Sequence, residues 1–364
     1  MYHPFDITLI RHTARYPKLT AQDVIKLAFQ NEFGGGHLIA DPAESLARLK
    51  QEYTTIRHDF SEEIYEDIGN GLARVMLGAI DDKKYPLEEL NDKFVRSATE
   101  HTGDKRSFRT KLGIALEAAD RGLFDFMPCD LKRFLMSYSM AGYPTISHSE
   151  QYRAAYAPAY RVVIRPSNSV DVSVAADAIF SAAKVKTDRH PVIVAIDGRC
   201  TSGKSTLARV LAEKYGVPVL HMDDFFLRPE QRAPERFDVP GENIDHERFL
   251  AEVLTPLSRG EAFTYRPFVC ADQSLGAPIS FAPAEIVVVE GSYACHPALA
   301  DHYAVRVFVD LSPEEQYDRL LAREGEDGMN AFIERWIPLE EKYFASIQPK
   351  KNADLRFELN GISR

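Results

Sequence analysis

Eight consecutive residues constrain this chain more than any other feature. Gly198-Arg199-Cys200-Thr201-Ser202-Gly203-Lys204-Ser205 fits the phosphate-loop pattern G-x-x-x-x-G-K-[ST] in full. The β-branched run Val192-Ile193-Val194-Ala195-Ile196 leads into it, and Lys204-Ser205-Thr206-Leu207 opens a helix after it. Glycines let the backbone curl so that successive N–H groups point inward and make an anion nest. The following helix adds the partial positive charge of its N-terminus. A nucleotide-binding set of Gly198, Thr201, Ser202, Gly203, Lys204, Ser205 and Thr206 is therefore expected, with Lys204 on the β- and γ-phosphates and the Ser205 hydroxyl on magnesium. The loop specifies a nucleotide but not a reaction.

The surroundings predict an α/β fold. Val217-Pro218-Val219-Leu220, Ile286-Val287-Val288-Val289 and Val305-Arg306-Val307-Phe308-Val309 are further short apolar runs, and helical stretches at Ser205–Tyr215 and Pro313–Arg323 lie between them. Buried strands alternating with helices give a parallel sheet covered on both faces. An Ala-rich helix over Val172–Lys184 precedes the sheet, after a linker at Arg165-Pro166-Ser167-Asn168-Ser169. Upstream the pattern is mostly helical. Thr20 with Asp23 caps one helix, which Gly34-Gly35-Gly36 ends. Asp41-Pro42, Pro86 and Lys105 begin three more, and Leu131–Met140 is a fifth, while Ile68-Gly69-Asn70-Gly71-Leu72 can close a hairpin. The expected division is a mostly helical domain over residues 1–165 and a P-loop domain over 166–364.

The length of 364 residues suits two domains. A net charge of -10 without a long basic run disfavours nucleic acid and anionic membranes as partners. No apolar stretch is long enough to span a bilayer, and the start lacks a signal peptide's pattern. The four cysteines, Cys129, Cys200, Cys270 and Cys295, form no C-x-x-C pair, so a reduced cytoplasmic protein is expected. Self-association is left open.

Ligands of open α/β sheets bind outside the carboxyl ends of the strands. Two acidic sites fall there: Asp223 and Asp224 after Val219-Leu220, and Glu290, followed by Gly291, after Val287-Val288-Val289. Phosphoryl transfer to an alcohol needs a carboxylate to take the hydroxyl proton and a metal on the phosphate oxygens. Asp223 is the candidate base and metal ligand, and Glu290 the second carboxylate on the metal. Asp224 serves equally well as a helix cap. His221 reads as a packing histidine and Cys200 as an inert small residue.

With these residues in place, about half the chain, Pro191 to Leu359, resembles the uridine kinase and phosphoribulokinase branch of P-loop kinases. The resemblance rests on the loop, Met222-Asp223-Asp224-Phe225-Phe226, Asn243-Ile244-Asp245-His246, Pro267-Phe268, Glu290-Gly291, Phe308-Val309-Asp310 and Lys350-Lys351-Asn352-Ala353-Asp354. It implies ATP, magnesium and transfer to an alcohol, with Asp223 as base, Asp245 on the acceptor's hydroxyls, and Tyr265 or Arg266 at the acceptor's border. Ala271 stands where uridine kinases carry a base-reading histidine. A pocket that loses a hydrogen-bonding group loses discrimination, so the acceptor is a nucleoside such as uridine or another polyhydroxylated small molecule. The lid also departs from the family's Arg-rich pattern, with the acidic stretch Glu324-Gly325-Glu326-Asp327-Gly328. Arg319 and Arg323 lie four apart on one helix face, within reach of acceptor and nucleotide phosphate, and Arg335 follows as a further acceptor contact. Trp336 reads as packing.

The first half matches no family in this reading. Asn31 to His37 places a histidine after three glycines, and His148, Tyr152, Arg153, Tyr156, Tyr160 and Arg161 form a cluster suited to a phosphate pocket or an interface. The leading function is a small-molecule kinase. The alternatives are an ATP-dependent switch acting through the first half, and a bifunctional enzyme with separate chemistry there.

Overall fold

The computed structural model describes residues 2–35, 39, 41–186, 188, 190–282 and 284–360. Gly36 and His37 lie outside the described residues. The chain divides into two compact units, Met1–Ser167 with Ser312–Asp318, and Asn168–Leu311 with Arg319–Arg364.

The first unit is built on α1 (Pro4–Arg15), α2 (Ala21–Phe33), α3 (Pro42–Thr55), β1 (Tyr65–Gly69), β2 (Leu72–Met76), α4 (Leu87–Glu100), α5 (Lys105–Asp120), α6 (Pro128–Met140), α7 (Glu150–Tyr156) and β3 (Tyr160–Ile164). Thr20 and Asp23 close a capping box at the start of α2, and Gly34 follows its end at φ 60° and ψ -143°, a conformation that favours glycine. The hairpin forms where expected. Asn70 and Gly71, both at positive φ, are the two central residues of a tight turn joining β1 to β2. The sheet is larger than the hairpin alone, because β3 pairs antiparallel with β2 and brings Tyr160 opposite Met76. Two helices were not anticipated. His3 caps α1, its Nδ1 accepting the Phe5 amide, and α7 starts on a Ser149 cap. The main core of this unit gathers Ile25, Leu27 and Ala28 from α2, Phe108, Leu112 and Ala115 from α5, and Tyr152 from α7.

The second unit is the expected α/β layer structure. Its six strands are β4 (Ser169–Asp171), β5 (Val192–Gly198), β6 (Val219–His221), β11 (Ile286–Glu290), β12 (Val305–Asp310) and β13 (Leu355–Asn360). They run in the order β4-β13-β12-β5-β11-β6, and every pairing is parallel. Alternate residues of the central strands enter two different cores. Val192, Val194 and Ile196 pack with α8 (Val172–Lys184) and α9 (Lys204–Tyr215) through Ala176, Ile179, Leu207 and Leu211. Ile193 and Ala195 face the other way, onto Phe249, Val253, Leu257 and Tyr343. That second face is made by α11 (His246–Phe249), α12 (Thr255–Ser258) and the turn between them, and by α14 (Ile337–Ile347). A short helix α10 (Pro234–Asp238) precedes them. Two small hairpins follow them, β7 (Phe263–Tyr265) with β10 (Ile279–Phe281) and β8 (Phe268–Val269) with β9 (Ser274–Leu275). Helix α13 (Pro313–Ala331) is interrupted at Gly325, whose φ of 70° and ψ of 177° break it inside the acidic stretch.

Candidate phosphate and acceptor site

Asp197, the residue before Gly198, fixes the phosphate loop. It is fully buried and accepts four hydrogen bonds: from the amides of Gly198 (2.7 Å), Tyr293 (3.1 Å) and Cys295 (3.0 Å) and from the Tyr343 hydroxyl (2.8 Å). One carboxylate thus ties the end of β5 to the segment after β11 and to α14. Gly198 sits at φ 145°, and a Cβ there would meet the Val309 carbonyl oxygen at 2.0 Å. Only glycine permits that approach of β12 to the loop. Thr201 holds a left-handed conformation at φ 61° in the curl of the loop.

Three acidic residues brace the loop from behind. Arg199 is nearly buried and pairs with Glu341 at 2.7 Å and with Asp310. Its guanidinium also lies 5.2 Å from the centre of the Phe344 ring. Glu340 accepts the Cys200 amide at 3.1 Å and the Ser292 hydroxyl at 2.6 Å. Burial pushes the Glu340 carboxyl above its ordinary range. The sequence reading missed Asp197, Arg199, Glu340 and Glu341 as site residues. Asp197 and Arg199 flank or belong to the motif, but nothing in the pattern of α14 distinguishes its two glutamates from surface charges.

At the mouth of the loop Lys204 curls back, donating to the carbonyls of Gly198 (2.8 Å) and Arg199 (2.9 Å). The Ser205 hydroxyl lies 3.2 Å from both carboxylate oxygens of Glu290. Sheet register explains the meeting, because Glu290 on β11 is level with Ile196 of β5 and His221 of β6. His221 Nδ1 stands 2.5 Å from Glu290, which raises the histidine's pKa. His221 is half-exposed and is not the packing histidine expected from the sequence; its polar partner at the strand end holds it in the site. Asp223 follows on a short 3₁₀ turn, Met222–Phe225. It keeps solvent access, yet surrounding protein and then the Glu290 charge raise its carboxyl above the usual range. Gly291, at φ 141°, lets this turn close up, since a Cβ there would lie 2.8 Å from that of Met222.

The Asp223 turn is joined to the Asp245 segment. The Asp245 amide donates to the Phe225 carbonyl at 2.7 Å, and Phe226 forms a bridge with Ile244. Asp245 is buried and caps α11, its Oδ1 accepting the Arg248 amide at 3.2 Å, while its Oδ2 makes no hydrogen bond among the described residues but faces the guanidinium Nε atoms of Arg248 at 3.4 Å and Arg228 at 3.8 Å. The Tyr265 hydroxyl donates to Asp224 at 2.9 Å. Asp224 is therefore a partner of the β7–β10 hairpin and not simply a helix cap. The arginines divide. Arg266 donates to the carbonyls of Leu275 (2.6 Å) and Gly276 (2.7 Å) in its own hairpin region. Arg319 donates to the loop carbonyls of Thr201 (3.1 Å) and Ser202 (3.4 Å) and to Leu359 (3.2 Å). Arg323 pairs with Glu324 at 2.5 Å and covers Phe332. Arg335 lies over the rings of Phe237 and Trp336, and Trp336 packs near Phe226.

Of the Tyr, Arg and His cluster of the first unit, His148 and Tyr160 join a hydrogen-bonded chain with Arg74, Gln30 and Asp23, whereas Arg153 donates to the His148 carbonyl and Arg161 to Glu52. Arg74, fully buried, donates to Gln30 Oε1 at 2.7 Å, and Gln30 Nε2 donates to the Tyr160 hydroxyl at 3.1 Å. Tyr160 bonds His148 Nε2, and His148 Nδ1 lies 3.0 Å from Asp23. With His148 neutral and its Nδ1–H donated to Asp23, Nε2 accepts from the Tyr160 hydroxyl; a doubly protonated His148 would reverse that bond and turn the hydroxyl to Gln30 Oε1, 3.4 Å away. His148 stacks on Tyr152 at 4.1 Å between ring centres.

The chain matches no protein-family model and no curated protein. Among solved structures it is similar to a protein from Bacillus stearothermophilus described as a possible uridine kinase, at 20% identity and a TM-score of 0.41 over 51% of this chain and 96% of the other. It is also similar to a protein from Silicibacter sp. provisionally described as a fructose transport system kinase, at 21% identity and a TM-score of 0.40 over 52% of this chain and 100% of the other.

Proposed function

We propose that the region 166–364 binds ATP with magnesium and moves the γ-phosphate to an alcohol group of a small polyhydroxylated acceptor, such as a nucleoside. The observation that carries this reading is the convergence of Lys204, Ser205, Glu290 and Asp223 at one mouth, with the Asp223 turn bonded to the segment that presents Asp245. The donor set suits a hard cation: a hydroxyl and carboxylate oxygens, with no thiolate. Ser205, Glu290 and Asp223 would hold magnesium, which when bound neutralises charge on the β- and γ-oxygens.

The chain's own residues do the rest. The loop amides and Lys204 hold the phosphates, and Lys204 exchanges two carbonyl partners for phosphate oxygens. Asp223, whose carboxyl is raised above its ordinary range by burial and the Glu290 charge, accepts the acceptor's hydroxyl proton as attack begins. Asp245 Oδ2, held by the ion pairs with Arg248 and Arg228, takes an acceptor hydroxyl, and Tyr265, Arg266 and Arg335 border the acceptor. Arg319 steadies the loop from its carbonyl side, and Arg323 closes over phosphate when it leaves Glu324. The region 1–165 selects the acceptor or regulates the transfer. A panel of nucleosides, sugars and vitamin-like alcohols tests the proposal. One class should stimulate ADP release from ATP and magnesium, and Asp223→Ala should abolish the stimulation. Equal stimulation in Asp223→Ala would remove Asp223 as base.

A further inference from the structure

Apart from the phosphate site, three metal-ligating side chains of the second unit converge. We propose that Glu242, His246 and His296 bind a single divalent transition-metal ion of the zinc type. Both carboxylate oxygens of Glu242 lie 3.0 Å from His246 Nε2, and Oε1 lies 3.6 Å from His296 Nε2. The three ligand atoms all fall within 4.8 Å of one another. Tetrahedral zinc with bonds of about 2.0–2.1 Å needs its ligand atoms roughly 3.3 Å apart, which the carboxylate-to-imidazole separations already bracket, whereas the two stacked rings must open to turn both Nε2 atoms onto one ion. Two imidazoles and one carboxylate make a donor set that zinc favours over magnesium or calcium.

The site is built rather than accidental in its packing. Both histidines are more than nine-tenths buried, and their rings stack at 4.1 Å with an interplanar angle of 16°. The stack turns both Nε2 atoms toward one carboxylate. Gly241, at φ 89°, brings the chain onto the second ring, where a Cβ would lie 2.8 Å from His296 Cδ2. Glu242 keeps partial exposure, which leaves an entry path and an open coordination position.

Two contacts limit the affinity. The Ala298 amide donates to His296 Nδ1 at 3.2 Å, so the ion-free neutral ring carries its proton on Nε2; binding moves that proton to Nδ1 and breaks the bond from Ala298, since two N–H groups cannot pair. The Arg236 guanidinium, 3.4 Å from the other Glu242 oxygen, competes for the carboxylate. The bound ion is therefore exchangeable. It pins the turn before α11, which carries Asp245, to the segment after β11. That last consequence rests on the function proposed above, whereas ion binding does not.

Cobalt(II) titration of the full chain, stripped of metal by a chelator, tests the site. One equivalent should give the intense visible absorption of a tetrahedral ion, and zinc(II) should displace it. Glu242→Gln, at a partly exposed position, should lower affinity at least about tenfold, and His296→Asn should do the same. Glu290→Gln should leave the tetrahedral signal unchanged, which separates this site from the phosphate site even if no kinase activity exists. Thermal unfolding checks that each variant folds, and Glu242→Gln alone decides if His296→Asn does not. The proposal is overturned by weak octahedral binding only, by an unchanged signal in Glu242→Gln, or by a signal lost in Glu290→Gln.

Discussion

In the proposed reaction Lys204 is the residue on which phosphate binding depends most directly. Its ammonium is buried against two loop carbonyls and needs only to turn to meet phosphate. Lys204→Ala should lower phosphoryl transfer on the order of 10²–10³-fold, since a single preorganised charge donor contributes that much, while leaving the fold intact by circular dichroism. A second prediction concerns pH. Burial holds His148 down to about 4, against the opposing pull of Asp23. Burial alone would raise Asp23, but hydrogen bonds from His148 and Ser149 hold it below its ordinary range. A histidine with a lowered folded pKa binds fewer protons folded than unfolded. Stability therefore rises with pH across that interval, and is lost as pH falls from about 6.5 towards 4. The Asp23 contribution disappears only at lower pH, below the unfolded carboxylate value. His148→Gln should flatten the slope between pH 6.5 and about 4.5, by roughly 1–3 kcal/mol, in chemical denaturation at a pH series. A slope unchanged from wild type would remove His148 as its source; His12, also buried and lowered, would be the next candidate.

Among elements, the loop and its braces act together. Arg199→Ala strips the shared cation from Glu341 and Asp310. Lys350 remains on Asp310 at 2.8 Å, so the expected loss of stability is near the low end for a broken buried pair, about 3 kcal/mol by urea denaturation. Gly198→Ala drives a methyl group into β12 at a backbone conformation that other residues rarely adopt. It should abolish nucleotide binding in calorimetry even where the chain still folds. The elements read most clearly from sequence were those with complete local signals: the loop between strand and helix, the Thr20 and Asp23 cap, and the Asn70-Gly71 turn. Those missed lacked such signals. β4 is three residues long with two of them exposed, and β13 mixes Arg356 and Glu358 with its apolar positions. β3 was hidden because Tyr160 and Arg161 read as chemistry rather than as strand. α1 carried a signal that was passed over, Pro4 at its start and Asp6 in its first turn. In the candidate site, Asp223 and Glu290 were legible because strand ends place them, and Lys204 and Ser205 because the loop motif specifies them. Glu340 and Glu341 were not, because they reach the loop only through tertiary packing.

The whole molecule joins a unit built around the 198–205 loop to a mostly helical first unit. The net charge of -10 leaves the positive field of the site to a few residues, chiefly the loop amides and Lys204. Among the described residues no helix is long and apolar enough to cross a membrane. The account's central claim is that phosphate passes to an alcohol and not to water. The most direct measurement follows the label from γ-labelled ATP with magnesium, with and without the stimulating acceptor, and separates organic from inorganic phosphate. The account predicts acceptor-dependent label in an organic phosphate, abolished in Asp223→Ala. Label released only as inorganic phosphate, at a rate indifferent to every acceptor, would contradict it and favour a nucleotide-dependent switch.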